Sequence, residues 1–510
     1  MTGASQNFYA RFAEVARRRG AADCWIEPDG RALSWTEVDA AVAAHAAALR
    51  AIGVQPGDRV LVQVEKSVAS LALYLGCLRA GAVFVPLNTA YTESELRYFI
   101  ADAGPRLVVC DPLRARAVRG MAGADVTVRT LDRSGSGDWM EGVSALAVDA
   151  GHVQPIEPRA GGDLAAIVYT SGTTGRSKGA MVSHANLAAN AAALIAAWQL
   201  RDDDVLLHAL PTYHVHGLFV SLHSTLLAGG AVLLLPKFDV DAVLAQLPRA
   251  TVFMGVPTYY TRLLADARFT REQAGSVRLF ICGSAPLLPA TFARFEQRTG
   301  QRILERYGMS EAGIITSNPL HGERLPGSVG YPLQGFELRI VDDQGRACAP
   351  DAPGMLEIRG PSVLGGYWRR PELQSTEFRD GWFVTGDLAT RTAEGRVAIV
   401  GRARDLVISG GFNVYPREIE LEIDALSGVG ESAVIGVPHP DFGEAVVAVI
   451  VRHRGVALDE AGVLQALGQR LARFKLPKRV LFVDELPRNA MAKVQKAVLR
   501  ETYAGLFRDG

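Results

Sequence analysis

The sequence predicts an α/β protein: a large N-terminal domain of mainly parallel sheets with helices plus a β subdomain, and a small C-terminal α/β domain. Three observations predict it. Strand and helix patterns alternate through the first half, the texture turns to short, turn-rich β segments after residue 324, and a new α/β rhythm begins beyond residue 402. With 510 residues the chain is too long for one hydrophobic core, and 48% apolar residues can fill several.

In order, a helix is expected over 35–52, a strand over 59–64, a helix over 67–80, a strand over 83–87, a helix over 93–102 and a strand over 107–110. This βαβ alternation builds a mainly parallel sheet. An apolar run over 164–168 reads as another strand, and the rhythm resumes with helix 186–198, strand 205–209, helix 219–227 and strand 231–235. Segments 336–341, 355–359 and 396–400 make a β subdomain of about 325–401. Gly401 to Asp405 is short, charged and poor in bulky apolar side chains, which divides the chain into 1–401 and 402–510. The second part reads as helix 416–426, strands 433–437 and 446–452, helix 461–473 and strand 480–484.

Charge and cysteine usage narrow the function. Lysine plus arginine equals aspartate plus glutamate at 54 each, so no global field favours nucleic acid or an anionic membrane, and small-molecule ligands are expected. Five scattered cysteines without C-x-x-C spacing argue against a disulfide framework or zinc site and fit a reducing, cytoplasmic location. The most apolar tract, 71–87, is broken by Gly76, Arg79, Gly81 and Pro86, which excludes a membrane span there. The first twenty residues lack a signal-peptide apolar core, and Glu14 disfavours a transit peptide.

The segment Tyr169-Thr170-Ser171-Gly172-Thr173-Thr174-Gly175-Arg176-Ser177-Lys178-Gly179 carries the strongest chemical signal. Five hydroxyls, three glycines and two cations in eleven residues suit a polyphosphate: glycine lets backbone N–H groups close on phosphate oxygens, and Lys178 adds charge. A Walker A loop is excluded, because Ser177 precedes Lys178 and Gly179 follows it. A plain Gly/Ser/Thr surface loop is the structural alternative.

With its companions this loop resembles the signature of the acyl-adenylate-forming superfamily: acyl-CoA synthetases, luciferases and peptide-synthetase adenylation domains. The companions are Tyr307-Gly308-Met309-Ser310-Glu311, Thr385-Gly386-Asp387-Leu388, the stretch Gly401-Arg402 to Gly411, and Lys493, five matches in order over about 325 residues. The resemblance implies a small mobile C-terminal lid over a large N-terminal domain. It also implies two half-reactions, in which ATP and a carboxylic acid give an acyl-AMP and pyrophosphate, and a thiol, here coenzyme A, then displaces AMP.

The resemblance assigns ATP binding to Thr170, Ser171, Gly172, Thr173, Thr174, Lys178, Tyr307, Asp387 and Arg402. Tyr307 would lie against adenine and Asp387 would grip the ribose. Glu311 with Thr174 would hold Mg2+, which neutralises the leaving pyrophosphate. Lys493 would be delivered by the lid to the reacting centre, Asp405 would be the hinge, and Gly410 and Gly411 would line a tunnel for coenzyme A. Each residue also has a plainer reading: Glu311 as a helix-start carboxylate, Asp387 as a turn residue, Lys493 as a solvated lysine, the glycine pair as a turn. Ala492 stands where the family usually has glycine before the lysine, which would cost about 1 kcal/mol if the site needs positive φ.

Within the superfamily the chain is most similar to malonyl-CoA synthetases. This rests on the segments His208 to Gly217, Met254 to Arg262, Gly283 to Leu287 and Val85 to Tyr91. Malonate has a second, non-reacting carboxylate, and burying it requires a cation. Arg262 is the candidate, with Arg278 and Arg306 as alternatives; His214 and Ser284 would line the pocket, His214 near the reacting end as a catalytic residue, and His216 reads as structural. The expected activity is malonate–CoA ligation, extending to methylmalonate. A short- or medium-chain monocarboxylate ligase and a non-catalytic acyl-adenylate binder remain as alternatives.

Overall fold

The computed structural model describes residues 5–147, 155–170, 177–409, 412–453, 455–489 and 493–507. Ser171, Gly172, Thr173, Thr174, Gly410, Gly411 and Ala492, all singled out above, lie outside the described residues.

Among the described residues the chain forms four sheets, two of them in the large N-terminal domain. In the nine-stranded sheet, Asp23–Ile26, Ala231–Leu234, Val205–His208, Val252–Gly255, Leu279–Cys282 and Leu304–Met309 run parallel in that spatial order. Antiparallel strands flank them: Ala32–Ser34 on one side, Gly313–Ser317 and Tyr331–Pro332 on the other. The six-stranded sheet runs in the order Thr127–Thr130, Leu107–Cys110, Arg59–Gln63, Val83–Pro86, Leu164–Thr170 and Lys178–Ser183, parallel except for its last pair.

These strands are continuously apolar because both faces are covered. Val60 and Val62 point into the core shared with the nine-stranded sheet, while Leu61 points into a second core with Phe99 and Val108. The shared core packs Phe12, Trp35 and Leu73 from three helices against Leu206 and Ile281. Each such fully buried large side chain contributes about 1.5–3 kcal/mol. Capping boxes start the helices where the sequence requires: Ser34 with Glu37, Ser67 with Ser70, Thr92 with Glu95 and Ser183 with Asn186.

The β subdomain is a five-stranded antiparallel sheet built from Glu337–Val341, Gly354–Arg359, Phe378–Arg379, Trp382–Arg391 and Val397–Arg402. Beyond the turn Ala403–Asp405, a further five-stranded sheet is centred on Gly443–Arg452. Val446, Ala448 and Ile450 face one C-terminal core and Val447 and Val449 the other, the period-2 alternation of a strand covered on both sides.

Several elements depart from the sequence reading. The glycine-rich loop joins a hairpin: Thr170 pairs with Lys178, so Lys178 opens an antiparallel strand. The helix expected over 219–227 begins earlier, as a π-helical turn His216–Leu222 leading into the α-helix His223–Ala228. The helix expected over 461–473 spans Glu460–Gly468, because Gly468 lowers helix propensity and the chain then turns toward the short 3-10 segment Arg473–Lys475. Arg402 is drawn into the β subdomain by pairing with Asp387.

Candidate active site

Four neighbouring parallel strands of the nine-stranded sheet end on the same side, and the carboxyl ends of such strands are the usual ligand position in parallel α/β sheets. Strand Val205–His208 leads to His214, Val252–Gly255 to Tyr259 and Arg262, Leu279–Cys282 to Gly283 and Ser284, and Leu304–Met309 carries Arg306 and Tyr307.

On the β subdomain, buried Asp387 forms an ion pair with Arg402 at 2.5 Å and accepts a hydrogen bond from the Tyr307 hydroxyl. Antiparallel register sets the ion pair, since Asp387 and Arg402 face each other on neighbouring strands. Burial pushes the Asp387 carboxyl up, while Arg402 and Tyr307 oppose that shift. Tyr307 is raised further still, by burial and then by Asp387, so it stays a phenol and a donor.

Glu311 lies in the turn between the antiparallel strands Leu304–Met309 and Gly313–Ser317, not at a helix start. It is buried and accepts from the Tyr367 hydroxyl at 3.3 Å, and loss of water raises its pKa. Lys178 is buried, bonded to Glu377 at 2.8 Å, with its ammonium 5.4 Å from the centre of the Tyr367 ring.

Lys493 enters from the C-terminal domain. Its backbone N–H donates to Asn489 Oδ1 at 3.0 Å and its carbonyl accepts the Asn489 N–H at 2.9 Å, which ties the backbone of the lysine to Asn489. Removal from water, then the positive Arg402, lower its pKa to about 8; Asp387 and Glu311 act in the opposite sense. Residues far apart in sequence thus share one electrostatic environment. Asp405, in the connecting 3-10 turn, pairs with Arg500 of the C-terminal domain at 2.8 Å.

A second group of side chains is built around Arg306. Its side chain is buried, and its Nε and Nη2 lack a hydrogen-bond partner among the described residues. Burial lowers its pKa to about 10, so it stays charged at neutral pH. His214 accepts the His216 backbone N–H on Nδ1 at 3.2 Å, leaving Nε2 as the protonated nitrogen of a neutral ring. Burial, Lys493 and Arg306 hold the His214 pKa near a value of about 3. Ser284 has φ +70°, a strained conformation for serine that aims its Oγ at His216 Nδ1, 3.1 Å away. His216, read from sequence as structural, therefore belongs to this cluster; its Nε2 is buried without a partner among the described residues.

The three arginines differ in environment. Arg262 is exposed on the last turn of helix Pro257–Ala265 beside Tyr259, where water already solvates its charge. Arg278 is committed to buried Asp204 through contacts of 2.5 and 2.8 Å. Among the described residues, Arg306 alone of these three is a buried cation without a carboxylate beside it. Its signal in the sequence was position: it immediately precedes Tyr307 on strand Leu304–Met309.

This arrangement, the Asp387–Arg402–Tyr307 group and the buried Arg306 with Lys493 coupled to both, is of the kind an adenylate-forming enzyme needs. The chain belongs to the AMP-binding enzyme family: that family's model matches residues 12–368, and the model of its C-terminal domain matches 418–493. ATP-bound MatB from Rhodopseudomonas palustris is 51% identical, covers 99% of this chain and 100% of that one, and superposes with a TM-score of 0.94. Apo MatB superposes at 0.84 with the same identity and coverage, so the present arrangement is nearer the ATP-bound form. Feruloyl-CoA synthase of an Amycolatopsis species is 37% identical over 94% of this chain and 95% of its own length. The mitochondrial malonate–CoA ligase ACSF3 of Mus musculus is 34% identical over 89% of this chain and 83% of its own. The chain is thus an AMP-forming acyl-CoA ligase by family, using ATP and coenzyme A. Among the described residues no helix is long and apolar enough to cross a membrane.

Proposed function

We propose that the protein ligates malonate, and methylmalonate as a further acid, to coenzyme A through an acyl-AMP. The observation that carries this reading is Arg306. A buried guanidinium with free donors is costly unless a ligand supplies the counter-charge, and a planar carboxylate matches its fork. A monocarboxylate spends its one carboxylate in the reaction and leaves Arg306 unpaired.

In the proposed first step the substrate's reacting carboxylate oxygen attacks the α-phosphorus of ATP, the bond to pyrophosphate breaks, and malonyl-AMP forms. Lys493, protonated below pH 8, stabilises the charge that grows on the α-phosphate. Asp387 with Arg402 and Tyr307 orients the nucleoside, and neutral His214 donates through Nε2 beside the reacting carboxylate. Glu311 fits a magnesium ion, being a buried hard-oxygen donor whose Oε1 holds only a long hydrogen bond from Tyr367; the ion when bound neutralises phosphate charge. In the second step the coenzyme A thiolate attacks the acyl carbonyl and AMP leaves. The hinge at Asp405 would let the C-terminal domain withdraw Lys493 between steps.

The second reading is a monocarboxylate or aryl-acid CoA ligase, which the 37% identity to a feruloyl-CoA synthase favours. Pyrophosphate release across a panel of mono- and dicarboxylates, with and without coenzyme A, separates the two. Malonate is expected to give the highest kcat/KM. Preference for butyrate or ferulate would refute the malonate reading, and no release with any acid would refute catalysis.

A further inference from the structure

Lys178 is the cation at the end of the phosphate loop, yet in this structure its charge is already taken. Its Nζ lies 2.8 Å from Glu377 Oε1, with the two side chains only 10% and 25% exposed. Glu377 closes the short helix Leu373–Glu377, in a segment that the phosphate-loop motif does not include. The Tyr367 ring stands 5.4 Å from the same ammonium, and its hydroxyl bonds to Glu311. Glu377 also raises the pKa of Glu311 by charge repulsion, though less than burial does, so the two carboxylates face a common space.

A nearly buried lysine needs a counter-charge when no phosphate is bound, and Glu377 supplies it. Once a polyphosphate arrives, the same carboxylate becomes a like charge beside it and a competitor for the ammonium. We propose that Glu377 is a positioning residue that holds Lys178 in the empty enzyme and yields it to the terminal phosphates, weakening their binding so that pyrophosphate can leave. This rests on the ATP-dependent reading of the site. A lysine has three donors, so it can turn from carboxylate to phosphate without moving its backbone.

The sign of the effect distinguishes this role from a structural one. Glu377→Gln keeps the shape and an acceptor for Lys178 but removes the charge. It is expected to bind inorganic pyrophosphate and ATP more tightly, by roughly three- to tenfold, the effect of one partly hydrated unit charge near the phosphates. The melting temperature of the empty enzyme should fall at the same time, because a mostly buried lysine loses its ion pair. Glu377→Asp, which withdraws the charge by one methylene, should give a smaller gain. Glu372→Gln, an exposed residue with the same change in net charge, should give none.

The test is calorimetric titration of pyrophosphate and of ATP into wild type and the three variants, with thermal melts of each. Tighter binding in Glu377→Gln with no change in Glu372→Gln supports the proposal. Unchanged or weaker binding in Glu377→Gln, with the wild type binding normally, overturns it and leaves the nucleotide reading intact. A wild type that binds neither ligand overturns both.

Discussion

Lys493 can be tested by titration as well as by mutation. Loss of water, together with Arg402 and Arg306, disfavours its charge, and Asp387 and Glu311 only partly restore it, so its pKa falls from 10.5 to about 8. The ammonium form is the one that stabilises the α-phosphate, and a depressed lysine pKa means that this form is lost on the alkaline side. At pH 7 about nine-tenths of the free enzyme carries the charge, and at pH 9 about one-tenth does. kcat/KM for ATP in the adenylation half-reaction, which reports the free enzyme, should therefore fall about tenfold per unit above pH 8. A lysine at its ordinary pKa would hold activity some two units further.

Lys493→Arg keeps a charge that does not titrate, so the alkaline limb should vanish even where the ceiling drops. Lys493→Ala should cost adenylation on the order of 10²–10³-fold, the usual effect of removing one donor to transition-state charge. Thioester formation from supplied malonyl-AMP should largely survive. The assay is single-turnover pyrophosphate release without coenzyme A, from about pH 6.5 to about pH 10, so that the thiol's own titration does not enter. An alkaline limb that persists in Lys493→Arg would refute the assignment. Equal loss of both half-reactions in Lys493→Ala would refute a lysine that serves adenylation alone.

Arg306→Met should lower kcat/KM for malonate by about 10²–10³-fold while sparing butyrate, and it should raise the melting temperature, since an unpaired buried charge is removed. Gly283→Ala should act on the same group, because the added Cβ would lie 2.6 Å from the Arg306 Cζ; malonate KM should rise at least tenfold with ATP binding measured by calorimetry unchanged. Asp387→Asn removes the charge from the 2.5 Å pair with Arg402 and should raise KM for ATP by roughly 30-fold, the loss of one charge-assisted bond. Glu357→Ala, which leaves the partly exposed Arg339 and Arg379 without their buried carboxylate in the β subdomain, should cost about 1–2 kcal/mol in urea unfolding, because water solvates the two guanidiniums.

Local patterns carried much of this protein. The family could be read from the glycine-rich segment, Tyr307 to Glu311, Asp387 and Lys493, because motifs record the residue types that chemistry needs at fixed spacing. Alternation of strand and helix announced parallel sheets, since a βαβ crossover has its own length and apolar texture. The helix expected over 219–227 was displaced because a π-turn carries no separate sequence signal: its residues are buried on every side and the register is chosen by packing. Lys178 could not be placed on a strand, because an antiparallel partner is set by register and not by the loop's composition.

The sequence by itself determined the family and its AMP-forming acyl-CoA ligase chemistry, since these are recorded in short-range order along the chain. Only the tertiary structure decided which arginine lacks a counter-charge among the described residues. Arg262, Arg278 and Arg306 are alike as letters, and they differ in what surrounds them: water, Asp204, or a buried pocket with His214, His216 and Ser284. Charge is paid for by its environment, and the environment is assembled from strands that meet only when the chain has folded.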